Sequence, residues 1–281
     1  MTFLPKAPLL FPIVALLSSC SISTPRAQTP EPPPPVATPV SPPPAPATSA
    51  VAQKISPPTP APSPRHPLKV RTASLHGTEF TAVTFDRRDY FLKVIDQEGG
   101  PGSQYSNAQA AGKGSLAAIN GGFFNPDGSP LGLVISDGKS RGSFNSTSFL
   151  GTGIIDGKNL TLATRKSYQK SSELLQSGPR LVWNGETLTG LSASNQRPRS
   201  FVIWDGKNHF GIAYADTATL QGLSNNLKSQ PLKGFNIQYA VNLDGGTSCD
   251  FWISGSIPGG GTTTSSFFTK DARNYLALRK R

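Results

Sequence analysis

Short apolar runs that end at Asp-Gly or Asn-Gly pairs are the feature that most constrains how this chain of 281 residues can fold. The pairs that begin at Asp137, Asp156, Asn184 and Asp205 each lie between two such runs. An Asp or Asn followed by Gly favours the tight turns that connect antiparallel strands. The pattern therefore predicts a mixed, strand-rich domain, which by itself is compatible with either the α/β or the α+β class.

The same pattern places individual strands and helices. Runs rich in β-branched and aromatic residues predict strands over residues 79–85, 90–95, 116–119, 131–135, 149–155, 159–164, 180–183, 201–204, 210–214 and 237–241. Helices are predicted over 105–111, 170–175 and 217–227. In the third helix, Leu220, Leu223 and Leu227 recur at three- and four-residue spacing. This spacing gives one apolar face, which indicates packing against a sheet.

The first twenty residues predict export and lipid attachment. Lys6 is followed by an apolar run over residues 9–17, which is too short to span a bilayer as a permanent helix. The run ends in Leu17-Ser-Ser-Cys20, which is typical of a lipobox. We therefore predict a signal peptide over 1–19 and an acylated Cys20 that anchors the protein in the bacterial cell envelope, in the periplasm or at the cell surface. A plain signal peptide with an incidental cysteine remains the alternative.

A change of composition marks the next boundary. Of the 27 prolines, 17 fall between residues 25 and 67, among Ala, Ser and Thr. Such a segment cannot bury enough apolar surface to offset the entropy of ordering, so residues 20–67 are predicted to be a disordered Pro-rich linker. Residues 68–281 are long enough for one domain with a sizeable core. Cys249 is the only cysteine besides Cys20, so a lipidated Cys20 leaves no pair for an intramolecular disulfide.

The charge balance limits the classes of partner. The chain carries a net charge of +11, and residues 68–281 hold 23 Lys and Arg against 15 Asp and Glu. An excess of cations favours anionic partners. The cations are scattered, and helix-turn-helix or zinc-finger spacing is absent from the sequence, which argues against nucleic acid. Anionic glycans, teichoic-type polymers and anionic lipid headgroups fit better; the sequence leaves the oligomeric state open.

Two glycine motifs are the first place to look for chemistry. Asn120-Gly-Gly-Phe-Phe124 and Asn242-Leu-Asp-Gly-Gly246 each follow an apolar run that reads as a buried strand. Glycine lets the backbone turn sharply and leaves N–H groups accessible to an anionic ligand. Either motif alone is also ordinary turn chemistry, so a structural role remains open for each.

Together the motifs resemble the signature of the phosphodiester glycosidase family. Segments 126–138, 176–185 and 197–200 are similar to three further family segments, and all five occur in the family's order, so the resemblance covers about Leu68 to Arg281. It implies an α+β fold and an exported hydrolase that cleaves a sugar-1-phosphodiester in an envelope or extracellular polysaccharide. One departure is Thr247, where the family usually carries a third glycine.

The resemblance implies roles for particular residues. Asp244 matches the family's carboxylate near the anomeric carbon, where it would serve as nucleophile, general base or metal ligand. Arg199 is the candidate for binding phosphate, and Arg197 competes for that role. Asn120 and Asn242 would either hydrogen-bond sugar hydroxyls or position Asp244. The catalytic set is thus expected to be Asp244, Arg199 and Asn120.

A second group of residues is expected to shape substrate binding. We expect the N–H groups of Gly121, Gly122, Gly245 and Gly246 to bind an oxyanion. Phe123 and Phe124 alternate faces in an extended chain, so one should pack in the core while the other borders the sugar. Gly178, before Pro179, is expected to form a rigid turn at the rim. Ser248 is expected to help bind phosphate.

The sequence also limits the possible cofactors and leaves rival functions open. Zinc has no support because no His-Glu-x-x-His motif or Cys pair is present. No cofactor is assigned, but Ca²⁺ or Mg²⁺ needs only oxygen ligands, and Asp127, Asp244 and Asp250 stay open as such. Cys249 is expected to be a buried structural thiol, with a Cys249–His209 pair as the alternative. Two rival functions remain: a non-catalytic envelope lipoprotein that binds anionic glycan, and a structural protein in which both motifs are only turns.

Overall fold

A computed structural model describes residues 64–265 and 270–281. The predicted signal peptide, Cys20 and linker residues 20–63 lie outside the described residues. Two residues before Leu68 contact the domain, since Arg65 forms a 2.8 Å ion pair with Asp89 and the His66 N–H donates to Asp86 Oδ2 at 3.0 Å. The domain boundary at Leu68 stays a prediction.

The described residues form two α-helices and seventeen strands. The helices are α1 (Ala108–Ala111) and α2 (Leu220–Lys228). The strands are β1 (Lys69–Leu75), β2 (Thr78–Asp86), β3 (Tyr90–Asp96), β4 (Ala117–Asn120), β5 (Val134–Ser136), β6 (Lys139–Arg141), β7 (Gly153–Asp156), β8 (Thr161–Thr164), β9 (Leu174–Ser177), β10 (Arg180–Trp183), β11 (Glu186–Thr187), β12 (Arg197–Trp204), β13 (His209–Ala218), β14 (Tyr239–Asn242), β15 (Asp250–Ile253), β16 (Thr262–Ser265) and β17 (Asn274–Lys280). The strand-rich prediction is confirmed.

The strands form three antiparallel sheets. The first has the order β1-β2-β13-β12-β14-β10-β11, the second β16-β15-β4-β17-β3 and the third β6-β5-β9-β7-β8. The predicted Asp-Gly and Asn-Gly turns close two hairpins, since Asp137-Gly138 joins β5 to β6 and Asn184-Gly185 joins β10 to β11. Both residues of each pair have positive φ, as a two-residue hairpin turn with right-handed strand twist requires.

One main core joins the three sheets. Alternate residues of β12 show how it is built, because Val202 faces this core while Phe201 and Ile203 face a second cluster on the other side of the sheet. The main core also takes Ile119 from β4 and Ile155 from β7, one from each of the other sheets. When the residues on both faces of a strand are buried, the strand must lie between two apolar layers, as β12 does.

Helix α2 covers the outer face of the first sheet, as predicted. Leu223 and Leu227 pack with Phe80 and Phe201, and the Thr219 hydroxyl caps the helix by accepting the Gly222 N–H at 2.9 Å. No helix of the described ranges is long and apolar enough to cross a membrane.

Two local predictions are wrong. The predicted helix over 170–175 is not formed, because Leu174 and Leu175 begin β9, which is buried between β5 and β7. The predicted strand over 149–155 begins instead with a 3-10 turn at Phe149–Gly151, in which the Ser148 hydroxyl accepts the Leu150 N–H at 3.1 Å. In both cases tertiary position overrides local preference.

Candidate active site

The two glycine motifs meet where the first and second sheets come together. Asn120 ends β4, and Asp244 lies two residues beyond the end of β14. The Asn120 side-chain Nδ2 donates to the Asp244 carbonyl at 2.8 Å, and the Asp244 N–H donates to the Gly121 carbonyl at 2.9 Å. Segments more than one hundred residues apart are thus joined by reciprocal hydrogen bonds.

The contacts of Asn120 fit a residue that positions Asp244. It is fully buried, and its Oδ1 accepts hydrogen bonds from the Ser200 hydroxyl at 2.6 Å and from the Asp250 N–H at 3.1 Å. Its Nδ2 donates to the Asp244 carbonyl. The expected place of Asn120 in the catalytic set stays a prediction.

Asn242 connects the same junction to the third sheet. Its Nδ2 donates to the Gly178 carbonyl at 3.1 Å, and its own carbonyl accepts the Ser177 hydroxyl at 2.9 Å. The Asn242 N–H also donates to Pro179 O at 3.0 Å. Gly178 is thereby brought to the glycine motifs, and its role at the rim stays a prediction. Asn242 is itself buried, and its contact with a sugar hydroxyl stays a prediction.

Most of the glycine N–H groups already have protein partners. Gly121 donates to the Asn274 carbonyl at 2.7 Å and Gly122 to Asn274 Oδ1 at 2.8 Å. Gly245 donates to Asp244 Oδ1 at 2.8 Å. The expectation of an oxyanion site at these three glycines is wrong. Their role is steric, since a Cβ on Gly121 would lie 2.0 Å from Asn274 Oδ1; Gly246 adopts a positive φ of 66°.

The Asp244 side chain is half-buried, and its surroundings shift the pKa of its carboxyl group. Burial raises its pKa, while the Ser248 hydroxyl, the Gly245 N–H and the charge of Arg197 act in the opposite direction. Ser248 therefore contacts Asp244 and lies at the site, although nearly all of it is buried. A carboxyl group whose pKa is raised by its surroundings is suited to exchanging protons.

Arg199 holds a buried charge beside the Asp244 turn. It is 6 % exposed, and its guanidinium donates from Nε to Ala218 O and from Nη2 to Asn195 O, both at 3.0 Å. Within the described part of the chain, no carboxylate lies at ion-pair distance. Burial and the charge of Arg197 lower its pKa to about 10, so it is still a cation at neutral pH.

Arg199 and Arg197 flank Gly245 and Gly246. A Cβ on Gly245 would lie 3.5 Å from Arg199 Nη1, and a Cβ on Gly246 would lie 3.3 Å from Arg197 Cδ. Arg197 is exposed, whereas Arg199 is buried. The β-bulge between them in the β12–β13 pair separates the two side chains by depth. Both arginines therefore lie at the Asp244 turn, one deep and one at the surface.

Phe123 and Phe124 do not divide as expected. Both are half-buried, so neither is a core residue, and this expectation is wrong. Phe124 pairs with Pro130 in an isolated bridge, and the Phe123 carbonyl accepts the Leu131 N–H at 3.0 Å. The pair thus begins a small loop next to the Asn120 motif.

Sequence reasoning missed Asn274, gave Ser200 no role of its own, and considered Asp250 only as a possible ligand of Ca²⁺ or Mg²⁺. Buried side-chain atoms without a hydrogen-bond partner in the described residues include Asn274 Nδ2, Asn242 Oδ1 and Asp250 Oδ1. All three belong to the junction around Asn120. A group of unpaired buried polar atoms is unusual for a purely structural junction. The only local signal for Asn274 is its place before the apolar run of β17.

The remaining chemical candidates lie apart. Burial raises the pKa of the Cys249 thiol to about 12, whereas His209 stacks on His66 at 4.1 Å, so the alternative of a Cys249–His209 pair is contradicted. Asp127 lies in an exposed turn, where its carboxylate accepts the Ser129 hydroxyl at 2.6 Å. Among residues 64–265 and 270–281, no group of three or more His, Cys, Asp or Glu is arranged to hold a metal ion. A requirement for Ca²⁺ or Mg²⁺ stays a prediction.

Solved structures share this strand-rich fold. A hypothetical protein from Synechocystis matches with a TM-score of 0.57 and 15% identity, over 75% of this chain and 61% of that one. The chain therefore spans about three fifths of that protein's length. The catalytic domain of zebrafish N-acetylglucosamine-1-phosphodiester alpha-N-acetylglucosaminidase, auto-inhibited by its pro-peptide, matches with a TM-score of 0.53 and 17% identity, over 76% of this chain and 83% of that one.

The family of this domain follows from its sequence. A search of curated proteins finds no significant match. The family model for phosphodiester glycosidases matches residues 113–277, which is more than half of the chain and includes both glycine motifs. The chain belongs to the phosphodiester glycosidase family.

Proposed function

We propose that this protein is an exported hydrolase that cleaves a sugar-1-phosphodiester, with Asp244 acting at the anomeric carbon and the Arg197–Arg199 pair binding phosphate. The observation that supports it best is the reciprocal hydrogen bonding of Asn120 and Gly121 with Asp244, which fixes a half-buried carboxyl group beside two arginines. Family membership supports the reaction type.

The chemistry requires a carboxylate near a developing oxocarbenium ion and cations near the departing phosphate. Phosphate leaves readily, so strong general-acid assistance matters less than in ordinary glycoside hydrolysis. Asp244 then acts as a nucleophile or as a base toward water. The Ser248 hydroxyl and the Gly245 N–H hold its carboxylate in place, and Asn120 fixes its backbone.

The two arginines bind the phosphate from different depths. Arg197 contacts it at the protein surface. Arg199 supplies a charge that no carboxylate of the described residues offsets. In the low dielectric of a buried site such a charge acts strongly on an anion at the same turn.

The cellular setting is part of the proposal. Cleavage after Ser19 and acylation of Cys20 would tether the enzyme to the membrane, and the Pro-rich segment would act as a spacer. A polysaccharide of the envelope or the extracellular space is then the substrate within reach. Labelling with a radioactive fatty acid tests this directly, because replacing Cys20 with Ala should abolish incorporation.

The central test is release of free sugar from a panel of hexose- and N-acetylhexosamine-1-phosphodiesters, with Ca²⁺ and with EDTA. Asp244→Asn should lower kcat by about 10³-fold or more, because it removes the carboxylate while keeping the side-chain shape. Asp127→Asn, in an exposed turn, is the matched control and should retain activity. Full activity in Asp244→Asn would exclude Asp244 from catalysis. Glycan binding without turnover under any metal condition would favour the non-catalytic alternative.

A further inference from the structure

A surface beside Gly178 combines an exposed aromatic ring with two arginines, and the chemistry proposed above does not use it. We call it the rim surface and define it as Phe149, Arg165 and Arg180. Phe149 is 46% exposed and begins the 3-10 turn between β6 and β7. An aromatic ring this exposed is not held in place by its own burial, so its position depends on the loop.

A single buried amide holds that loop. Gln176 Oε1 accepts the N–H groups of Leu133 at 3.0 Å and Asn145 at 2.9 Å. Its Nε2 donates to Asn145 O at 2.6 Å and to Gly151 O at 2.9 Å. Gln176 is buried, and its full hydrogen-bonding capacity is used. The backbone on both sides of Phe149 is therefore fixed before any ligand arrives, which lowers the entropic cost of binding there.

The rim surface is connected to the candidate active site through Gly178. A Cβ on Gly178 would lie 3.1 Å from Phe149 O and 3.0 Å from Leu150 O, so the two backbones are in close contact. The Gly178 carbonyl in turn accepts Asn242 Nδ2 at 3.1 Å, and Asn242 precedes Asp244 by two residues. The backbone of the Phe149 turn is thus joined to the Asp244 turn through Gly178 and Asn242.

Two cations flank the same loop. Arg165 Nη1 donates to Ser148 O at 3.2 Å, and the Arg180 N–H donates to Thr152 Oγ1 at 3.1 Å. The Arg180 guanidinium lies 4.9 Å from the centre of the Trp183 ring, and its buried Nε has no hydrogen-bond partner in the described residues. Burial and the charge of Arg165 both lower the pKa of Arg180.

Neither arginine has a carboxylate at ion-pair distance within residues 64–265 and 270–281. Two neighbouring cations repel each other unless an anion lies between or beside them. Phosphate and carboxylate groups suit the planar guanidinium, which binds them through two parallel hydrogen bonds. An adjacent apolar ring suits the flat face of a sugar.

We propose that the rim surface is a second subsite, at which Arg165 and Arg180 bind a further anionic group of an extended glycan while Phe149 packs against its sugar ring. The placement rests on the proposed function, because it takes the reacting phosphodiester to lie at Asp244. The substrate class it defines is an anionic polysaccharide with more than one charged repeat.

The experiment compares two probes with the full-length protein: a long polysaccharide whose hexoses are joined by 1-phosphodiesters, and the corresponding methyl hexosyl phosphodiester with a single charge. Direct binding to the polymer and kcat/KM for both probes are measured. Arg165→Gln should raise the Kd for the polymer about tenfold, the effect of losing a charged hydrogen bond. Phe149→Ala should raise it about fivefold, and Phe149→Tyr, which keeps the ring, should restore it.

Lys166→Gln is the matched control, because Lys166 is the exposed cation next to Arg165. Equal weakening by Lys166→Gln and Arg165→Gln would mean general charge attraction and would overturn the subsite. A wild-type protein that fails to bind the polymer would also overturn the subsite. A loss of kcat/KM in Arg165→Gln that is equal for the polymer and for the methyl hexosyl phosphodiester would overturn it as well. Polymer binding that depends on Arg165 without turnover of either probe would support the subsite while removing the proposed function.

Discussion

Two buried arginines of this domain differ in how their charge is compensated. Arg273 and Arg199 are 5% and 6% exposed. Arg273 binds Asp96 through both carboxylate oxygens, from Nε at 3.1 Å and from Nη2 at 3.2 Å, and donates from Nη1 to Gly128 O at 3.0 Å. Among residues 64–265 and 270–281, Arg199 binds only backbone carbonyls. Within that part of the chain, the same buried charge is neutralised at Arg273 and has no carboxylate partner at Arg199.

The difference separates framework from site. Removing a charge from water is costly, and a paired carboxylate offsets the cost at Arg273. Among the described residues, Arg199 has only two neutral hydrogen bonds to offset that cost. An uncompensated buried cation fits the proposed role of Arg199 in binding phosphate.

The largest effect is expected on activity. Arg199→Met should lower kcat/KM for sugar-1-phosphodiesters by about 10²- to 10³-fold, the effect of losing one preorganised donor to a developing anion. The free energy of unfolding should be unchanged or higher, since an unpaired buried charge is removed. Steady-state kinetics and urea unfolding on the same sample decide the matter. Unchanged kinetics together with lost stability would make Arg199 a framework residue like Arg273.

Arg273→Met should show the reverse behaviour. It leaves Asp96 with Arg141 alone, whose Nε lies 3.1 Å from Asp96 Oδ2. We expect a loss of about 3 kcal/mol in the free energy of unfolding, with unchanged kcat/KM per folded molecule. Arg141→Gln is the control at the same carboxylate, and because Arg141 is more exposed it should cost about 1 kcal/mol or less. Equal losses in the two variants would contradict the framework role.

A carboxylate of the framework should respond to acid in a predictable direction. Burial of Asp86 raises its pKa, but hydrogen bonds from Arg88 and from the His66 N–H outweigh burial and bring the pKa well below the usual range. Its stabilising effect is therefore present above the unfolded carboxyl pKa and is lost as pH falls through the folded value. Asp86→Asn should cost about 2 kcal/mol at pH 7, and the difference should shrink in acid. A pH-independent difference in urea midpoints would argue against it.

The Asp244 carboxyl group should have the smallest effect on stability. Its pH dependence should have the opposite sign to that of Asp86. The pKa of Asp244 is raised in the fold by burial. The native state then holds its proton more tightly, so the wild type loses stability as pH rises from the unfolded carboxyl pKa through the folded one. Asp244→Asn should accordingly be slightly more stable than wild type at pH 7 and equal to it in acid. Urea midpoints between pH 3 and pH 7 measure this, and destabilisation at pH 7 would contradict it.

Local sequence pattern predicted the elements whose own residues decide their structure. The run 180–183 matches β10, and the Leu220, Leu223 and Leu227 spacing matches α2. The pattern missed β1, whose exposed edge position leaves it without an apolar run. It also missed β17, although that strand contains an apolar run and pairs with both β3 and β4.

The site could be predicted only to the level of its motifs. Glycines and amides at strand ends pointed to the place where Asn120 and Asp244 meet. Which groups remain available there depends on long-range partners: Asn274 takes the N–H groups of Gly121 and Gly122, and Ser200 takes Asn120 Oδ1. Since those partners lie on strands distant in sequence, β17 for Asn274 and β12 for Ser200, local pattern assigned ligand contacts to groups that the protein itself uses.

The burial of Cys249 has a consequence for redox behaviour. The thiolate is the form that attacks disulfides and oxidants, and a covered sulfur whose pKa is raised to about 12 supplies almost none of it. The described domain should therefore tolerate an oxidising medium without cross-linking, and its handling needs no reducing agent. A disulfide-linked dimer of the full chain would have to form through Cys20, the one other cysteine in the sequence.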